Sequence, residues 1–224
     1  MKSVSTRTKM FLMVAAAMMV FAGVTRSNAS LVFENYTTFS GNTGTPLGAL
    51  TATFENITGG GVTLTLTATG LNAAAKISEW GFNYGGLPTG VTPSVTYSPP
   101  GASQATNVYT SRGNQTKADG DGYFNLYFTF PVSGNIFNNG SVVYTISAAG
   151  LTEDSFLFLS QDKDGNPTGY YSAAHVQGLP ADIKGATSGW VALQPVPLPP
   201  SVFLLACGLV GMVGIHRLRK KQSS

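Results

Sequence analysis

The sequence predicts an all-β protein: an antiparallel β-sandwich or jelly-roll-like body at residues 30–193, with an N-terminal signal peptide and a C-terminal transmembrane helix on either side. Three observations carry this prediction. Apolar and threonine residues alternate without a slip from Val62 to Thr69, the period-two signature of a half-buried strand. Roughly nine to eleven short apolar or aromatic runs are separated by Gly, Pro and Asn clusters, as in folds built from hairpins. No stretch of the body carries a useful helical period, and no repeat of fixed length suggests a propeller or solenoid.

Taken in order, residues 1–29 form an export address. Lys2, Arg7 and Lys9 precede the apolar run 10–24, and Ser27-Asn28-Ala29 places small residues where a signal peptidase inspects them. Cleavage is therefore expected between Ala29 and Ser30.

Strands are expected at 31–39 and 49–57, ahead of the permissive turn Gly59-Gly60-Gly61. The run 62–69 follows. Residues 76–84 place Trp80, Phe82 and Tyr84 on one parity, and 91–97 lies between proline-marked turns. The polar stretch 103–122 reads as an exposed loop interrupted by a short strand at 107–110. In the run 123–130 the residues Phe124, Leu126, Phe128 and Phe130 are expected to face the core. Asn138-Asn139-Gly140 is a turn before a strand at 141–148. Phe156-Leu157-Phe158-Leu159 is apolar on both parities and predicts a central strand, with further strands at 170–177 and 189–193.

The segment 194–224 is a second address. Pro197-Leu198-Pro199 leads into the apolar run 202–215 and then a basic tail at 216–224 that contains Arg217, Arg219, Lys220 and Lys221. Fourteen residues of helix reach about 21 Å at ~1.5 Å per residue, short of a bilayer core. Counted from Pro195 the uncharged length is 21 residues, and snorkelling cations make a short span feasible. The cations are expected to stay cytoplasmic, as a topological stop.

A Pro-x-Pro signature, a short apolar helix carrying Gly208, Gly211 and Gly214, and a terminal basic cluster together resemble the PEP-CTERM sorting signal of Gram-negative bacteria. The resemblance implies recognition by exosortase, an integral-membrane cysteine protease and transpeptidase, followed by release or transfer to the cell exterior. Leu198 stands where that signal has Glu, so the chain carries a Val-Pro-Leu-Pro variant. A sortase signal fits less well, because Leu198-Pro199-Pro200-Ser201-Val202 has Ser for Thr and Val for Gly. A GPI signal would need small residues and a polar spacer instead of a proline run. An uncleaved membrane anchor is the plain alternative.

Charge and cysteine usage agree with two addresses around an exported body. The formal net charge of +3 comes from the ends. All ten acidic residues lie between Glu34 and Asp182, opposed only by Lys76, Arg112, Lys117, Lys163 and Lys184, so the body carries −5. The basic pI of the whole chain is therefore no sign of a nucleic-acid partner. Cys207, the only cysteine, falls in the apolar run, which leaves the body without a disulfide or a reactive thiol.

Few residues suggest chemistry. Asp162, Asp164 and Asn166 have the alternating oxygen ligands of a calcium loop, yet Pro167 and Ala173 occupy the places where an EF-hand needs Gly and Glu. His175 is the sole body histidine, no Gly-x-Ser-x-Gly elbow is present, and Glu79 is the only acid directly beside a tryptophan. Trp80 and Trp190 are the candidates for stacking on a sugar. The expected function is that of a non-enzymatic cell-surface or extracellular-matrix protein, processed by a signal peptidase and an exosortase-type enzyme and associated with envelope or exopolysaccharide. The alternatives are a secreted carbohydrate-binding module and, less favoured, a secreted hydrolase.

Overall fold

The computed structural model describes residues 30–42, 49–97, 104–111, 116–119, 121–134 and 137–193. The expected signal peptide, sorting segment and apolar run 202–215 lie outside these residues. The chain divides into two units, Met1–Leu193 and Gln194–Ser224. Among the described residues no helix is long and apolar enough to cross a membrane.

The body is all-β, with two antiparallel sheets. One contains, in spatial order, β1 (Ser30–Phe33), β3 (Ala49–Asn56), β4 (Val62–Thr69), β9 (Gly140–Ser147) and β6 (Ser94–Tyr97). The other contains β2 (Thr37–Gly41), β11 (Ser188–Leu193), β10 (Ser172–Gln177), β5 (Lys76–Phe82), β8 (Leu126–Thr129) and β7 (Asn107–Tyr109). Both sheets contribute to one buried cluster, an arrangement consistent with a β-sandwich.

The alternation in β4 explains its central place. Val62, Leu64, Leu66 and Ala68 are buried, while the threonines point to the outer face. Its neighbours match that parity: β3 supplies Leu50, Ala52 and Phe54, and β9 supplies Val142, Tyr144 and Ile146. A one-residue slip would turn every one of these side chains toward water. The outer threonines bond across strands, as Thr67 Oγ1 does with Ser141 Oγ at 2.8 Å.

Three expectations are corrected. The run 31–39 is two strands in different sheets, broken between Phe33 and Thr37 with Asn35 at φ 62°. Phe33 enters the core against Phe54 and Phe82, and Tyr36 buries its hydroxyl against Ser172 Oγ at 2.9 Å, so the chain crosses between sheets there. Burial raises the Tyr36 phenol far above its ordinary pKa, opposed by the bonds to Ser172 and Trp80.

The segment 156–159 is not a central strand. Glu153–Phe156 is a 3-10 turn whose last residue stacks on Phe54 at 4.1 Å between ring centroids. Leu157 and Phe158 remain 46% and 43% exposed. The segment is instead a strap tied to the chain beyond β5, because the Gly85 amide donates to Ser155 O and Asn83 Nδ2 donates to Leu159 O. Phe158 lies over Gly85 so closely that a Cβ there would meet its ring at 2.6 Å. Apolar residues on both parities thus serve a strap with one buried anchor and one ring laid on a glycine.

The run 123–130 loses its parity at Asn125. Leu126, Phe128 and Phe130 enter the main core, whereas Phe124 joins a second cluster on the outer face of the six-stranded sheet. Asn125 and Asn83 cause the break, since each side-chain oxygen accepts an amide near the other residue: Tyr84 N to Asn125 Oδ1 and Asn125 N to Asn83 Oδ1.

The strap makes a contrast that a strand would not. Phe156→Ala is expected to cost about 3–5 kcal/mol in urea unfolding, while Leu157→Ala stays within about 0.5 kcal/mol. Comparable losses at both positions would contradict this account.

Candidate functional site

The outer face of the six-stranded sheet carries the most organised group of polar side chains. Register places Ser40, Trp190, His175, Glu79, Thr129 and Asn107 opposite one another, one residue from each strand from β2 to β7. The His175 and Trp190 rings stack at 4.7 Å with only 6° between their planes. Asn107 Nδ2 donates to Thr129 Oγ1 at 3.3 Å at the far end of the row.

Two irregularities meet at this stack. The β10–β5 pairing shifts register between His175 and Val176, and the β11–β2 pairing shifts between Trp190 and Val191. The first shift brings both Ser78 and Glu79 beside His175, where simple alternation would send them to opposite faces. Ser78 Oγ and Glu79 Oε2 then lie 3.0 and 3.4 Å from the same ring nitrogen, Nδ1. Tyr127 completes the group, its hydroxyl bonded to Glu79. Burial, then the Glu79 charge and that bond, hold the Tyr127 phenol far above its ordinary value.

This geometry is not that of a relay. A Ser-His-acid site needs the hydroxyl on one ring nitrogen and the carboxylate on the other, so that the ring passes a proton between them. Here both groups crowd Nδ1, and the Ser78 hydroxyl also donates to the His175 carbonyl at 3.3 Å. The arrangement fixes the imidazole flat on Trp190 and turns Nε2 outward, where it has no partner among the described residues.

Beside this row a second one, Ala192, Ala173, Gly81, Tyr127 and Tyr109, forms a trough of small residues ending in two tyrosines. Phe124 fills it, and a Cβ on Gly81 would meet that ring at 2.8 Å. Ala118 and Phe124 therefore roof the trough, with Phe39, Tyr109 and Tyr170 packed around it. Asp121 pins the roof in place: its Oδ1 accepts from Ser160 Oγ at 2.8 Å and Thr168 Oγ1 at 3.1 Å. Burial raises the Asp121 carboxyl, against those bonds.

The residues chosen from sequence fare differently. Trp80 is fully buried, its Nε1 donating to Tyr36 and Ser172 hydroxyls at 3.2 and 3.1 Å, so it has no face to offer a sugar. Trp190 is 7% exposed and lies beneath His175. Among the other aromatics, Tyr84 donates to Thr110 O, Tyr97 packs on Tyr144 and Tyr170 on Phe39. Ser30 opens β1 and pairs with Glu55. Ala29, Pro197, Leu198, Pro199, Arg217, Arg219, Lys220 and Lys221 lie outside the described residues.

In the loop expected to hold calcium, the first aspartate binds its own turn. Asp162 Oδ1 accepts the amides of Asp164 and Asn166, and its Oδ2 accepts Asn166 Nδ2. Those bonds lower the Asp162 pKa, the Asn166 side chain first. Asp164 pairs with Lys163 at 3.0 Å. The loop at Asp182 is built alike: Oδ1 accepts the amides of Lys184 and Ala186, and the Gly185 amide returns to Asp182 O. Ala186 stands there where the first loop has Asn166, so the turn forms without a ligand set. Among the described residues no three His, Cys, Asp or Glu side chains gather as a metal site.

No family model, curated protein or solved structure matches the chain.

Two outcomes follow from the carboxylates. The melting temperature of the full chain is expected to be the same in calcium and in chelator, and a rise with calcium that vanishes in Asp164→Ala would restore the cation. Asp121 has a folded pKa above its ordinary value of 3.8, so its contribution is complete below that value and is lost as pH rises through the folded pKa. Asp121→Asn should flatten this part of the stability–pH profile in denaturant titrations.

Proposed function

We propose that this chain is an exported, non-enzymatic surface or extracellular-matrix protein, processed at both ends and associated with envelope or exopolysaccharide. The observation that carries the reading is the match between two addresses and one folded body. Between the two addresses, the described residues form two antiparallel sheets around a shared core. The body is taken as a β-sandwich that carries its own core.

Processing follows from chemistry at the ends. Signal peptidase removes residues 1–29, the apolar run 202–215 holds the intermediate at the inner membrane of a Gram-negative cell, and Arg217, Arg219, Lys220 and Lys221 stay on the cytoplasmic side. An exosortase-type transpeptidase then reads Pro197, Leu198 and Pro199. A second reading, a carbohydrate-binding module, is favoured by the ordered polar row on the six-stranded sheet and is compatible with the first. A hydrolase is not favoured, because Ser78 and Glu79 share one nitrogen of His175.

Mass spectrometry of the mature protein from native cells is expected to find Ser30 at the N-terminus and a C-terminus upstream of residue 202. Deleting residues 197–224 should abolish retention at the surface and shift the protein to the medium or periplasm. Unchanged fractionation, or an untrimmed product in the cytosol, would overturn the proposal.

A further inference from the structure

We infer that the outer row Ser40, Trp190, His175, Glu79, Thr129 and Asn107 is a binding face for an extended, neutral polysaccharide. This deepens the reading above by naming the surface that would hold the polymer. Four observations converge on it.

The first is backbone geometry. Both register shifts of the six-stranded sheet's β10–β5 and β11–β2 pairings fall at the His175–Trp190 stack. Bulges re-aim side chains and concentrate next to functional sites; here one of them gathers Ser78 and Glu79 against a single imidazole. A solvated sheet face has no need of such an arrangement.

The second is shape. The neighbouring row is roofed by Phe124 and Ala118, so the polar row runs along the foot of a step. Its charged and titratable members are sheltered accordingly, with the side chains of His175 and Glu79 18% and 34% exposed. Trp190 acts as a positioning residue that holds the imidazole flat. The ligand meets the His175 edge and Nε2, not the indole.

The third is chemistry. The row offers hydroxyls from Ser40 and Thr129, the Asn107 amide, an imidazole nitrogen and the Glu79 carboxylate, a mixture of donors and acceptors that suits sugar hydroxyls. It contains no Lys or Arg, and the body around it carries −5. Glu79 and that net charge repel phosphate, sulfate and uronate polymers, which leaves a neutral chain.

The fourth is spacing. Strands lie ~4.8 Å apart, so six of them present a polar ladder about 24 Å long. A linked pyranose advances by a length close to one such step. A linear glycan laid across the strands therefore spans the row with about five sugars.

The test uses the full chain in mild detergent, with calorimetry against cello-, xylo- and manno-oligosaccharides from disaccharide to octasaccharide, dextran, and polygalacturonate as the anionic contrast. At least one neutral series should bind, tightening with length up to about five sugars and no further. His175→Ala and Asn107→Ala, three strands apart, should each weaken binding about tenfold, whereas Thr53→Ala on the other sheet should not. Near-ultraviolet circular dichroism reports whether each variant retains its fold. The inference fails if no neutral polymer binds, if polygalacturonate binds better, or if both folded row variants bind like the parent. Fractionation of the cells tests the sorting reading separately and is untouched by any of these results.

Discussion

Trp80 is the point at which the six-stranded sheet is tied to the segment that crosses over from the five-stranded one. Its indole is packed between Phe82 and Phe137 and meets Tyr36 edge-on at 5.7 Å. Its N–H reaches the hydroxyls of Tyr36 and Ser172, which also bond to each other. A buried donor must be matched, and here the match comes from two distant segments. Tyr36 lies where the chain leaves the five-stranded sheet for the other, so the same knot fixes the crossover. Without a cysteine in the body, packing and bonds of this kind do the work that bridges perform in many exported domains.

From that knot the structure grows outward in layers. The inner faces of both sheets close the main core, and the outer face of the six-stranded sheet supports a smaller one. Gly81, Ala173 and Ala192 keep a trough shallow enough for Phe124, and Asp121 secures the loop that delivers this ring. The uncovered remainder of that face is the polar row. Packing therefore decides where a ligand could lie, because the roof over one row defines the edge of the next.

Much of the body was legible from periodicity alone. The strand at 62–69 is found as expected because its alternation is strict and its buried positions are all aliphatic. Ranges 49–57, 76–84 and 189–193 were also readable, to within a residue or two at their ends. What defeated the pattern was tertiary: the segment 31–39 carries no Gly or Pro at its break, and only Asn35, tolerant of positive φ, hints at the crossing. Phe156 to Leu159 looks like strand because apolar content says nothing of direction. His175, Glu79 and Trp190 stand out in the sequence, but their grouping in one polar row does not, since Ser78 and Glu79 share a face only through a register shift, and Trp80, the more conspicuous neighbour, points inward. The oxygen spacing that suggests a cation at Asp162, Asp164 and Asn166 also serves a turn that binds its own amides.

That turn recurs. Asp162 to Asn166 and Asp182 to Ala186 share an aspartate that caps two amides and a glycine at positive φ, yet their second and third residues differ completely: Lys163 and Asp164 in one, Ile183 and Lys184 in the other. Ile183, at an apex, is 98% exposed. Closure is delegated to the first and fourth residues, so the apices are free to drift in polarity, and epitopes or affinity handles could be written there without disturbing the sheets beneath.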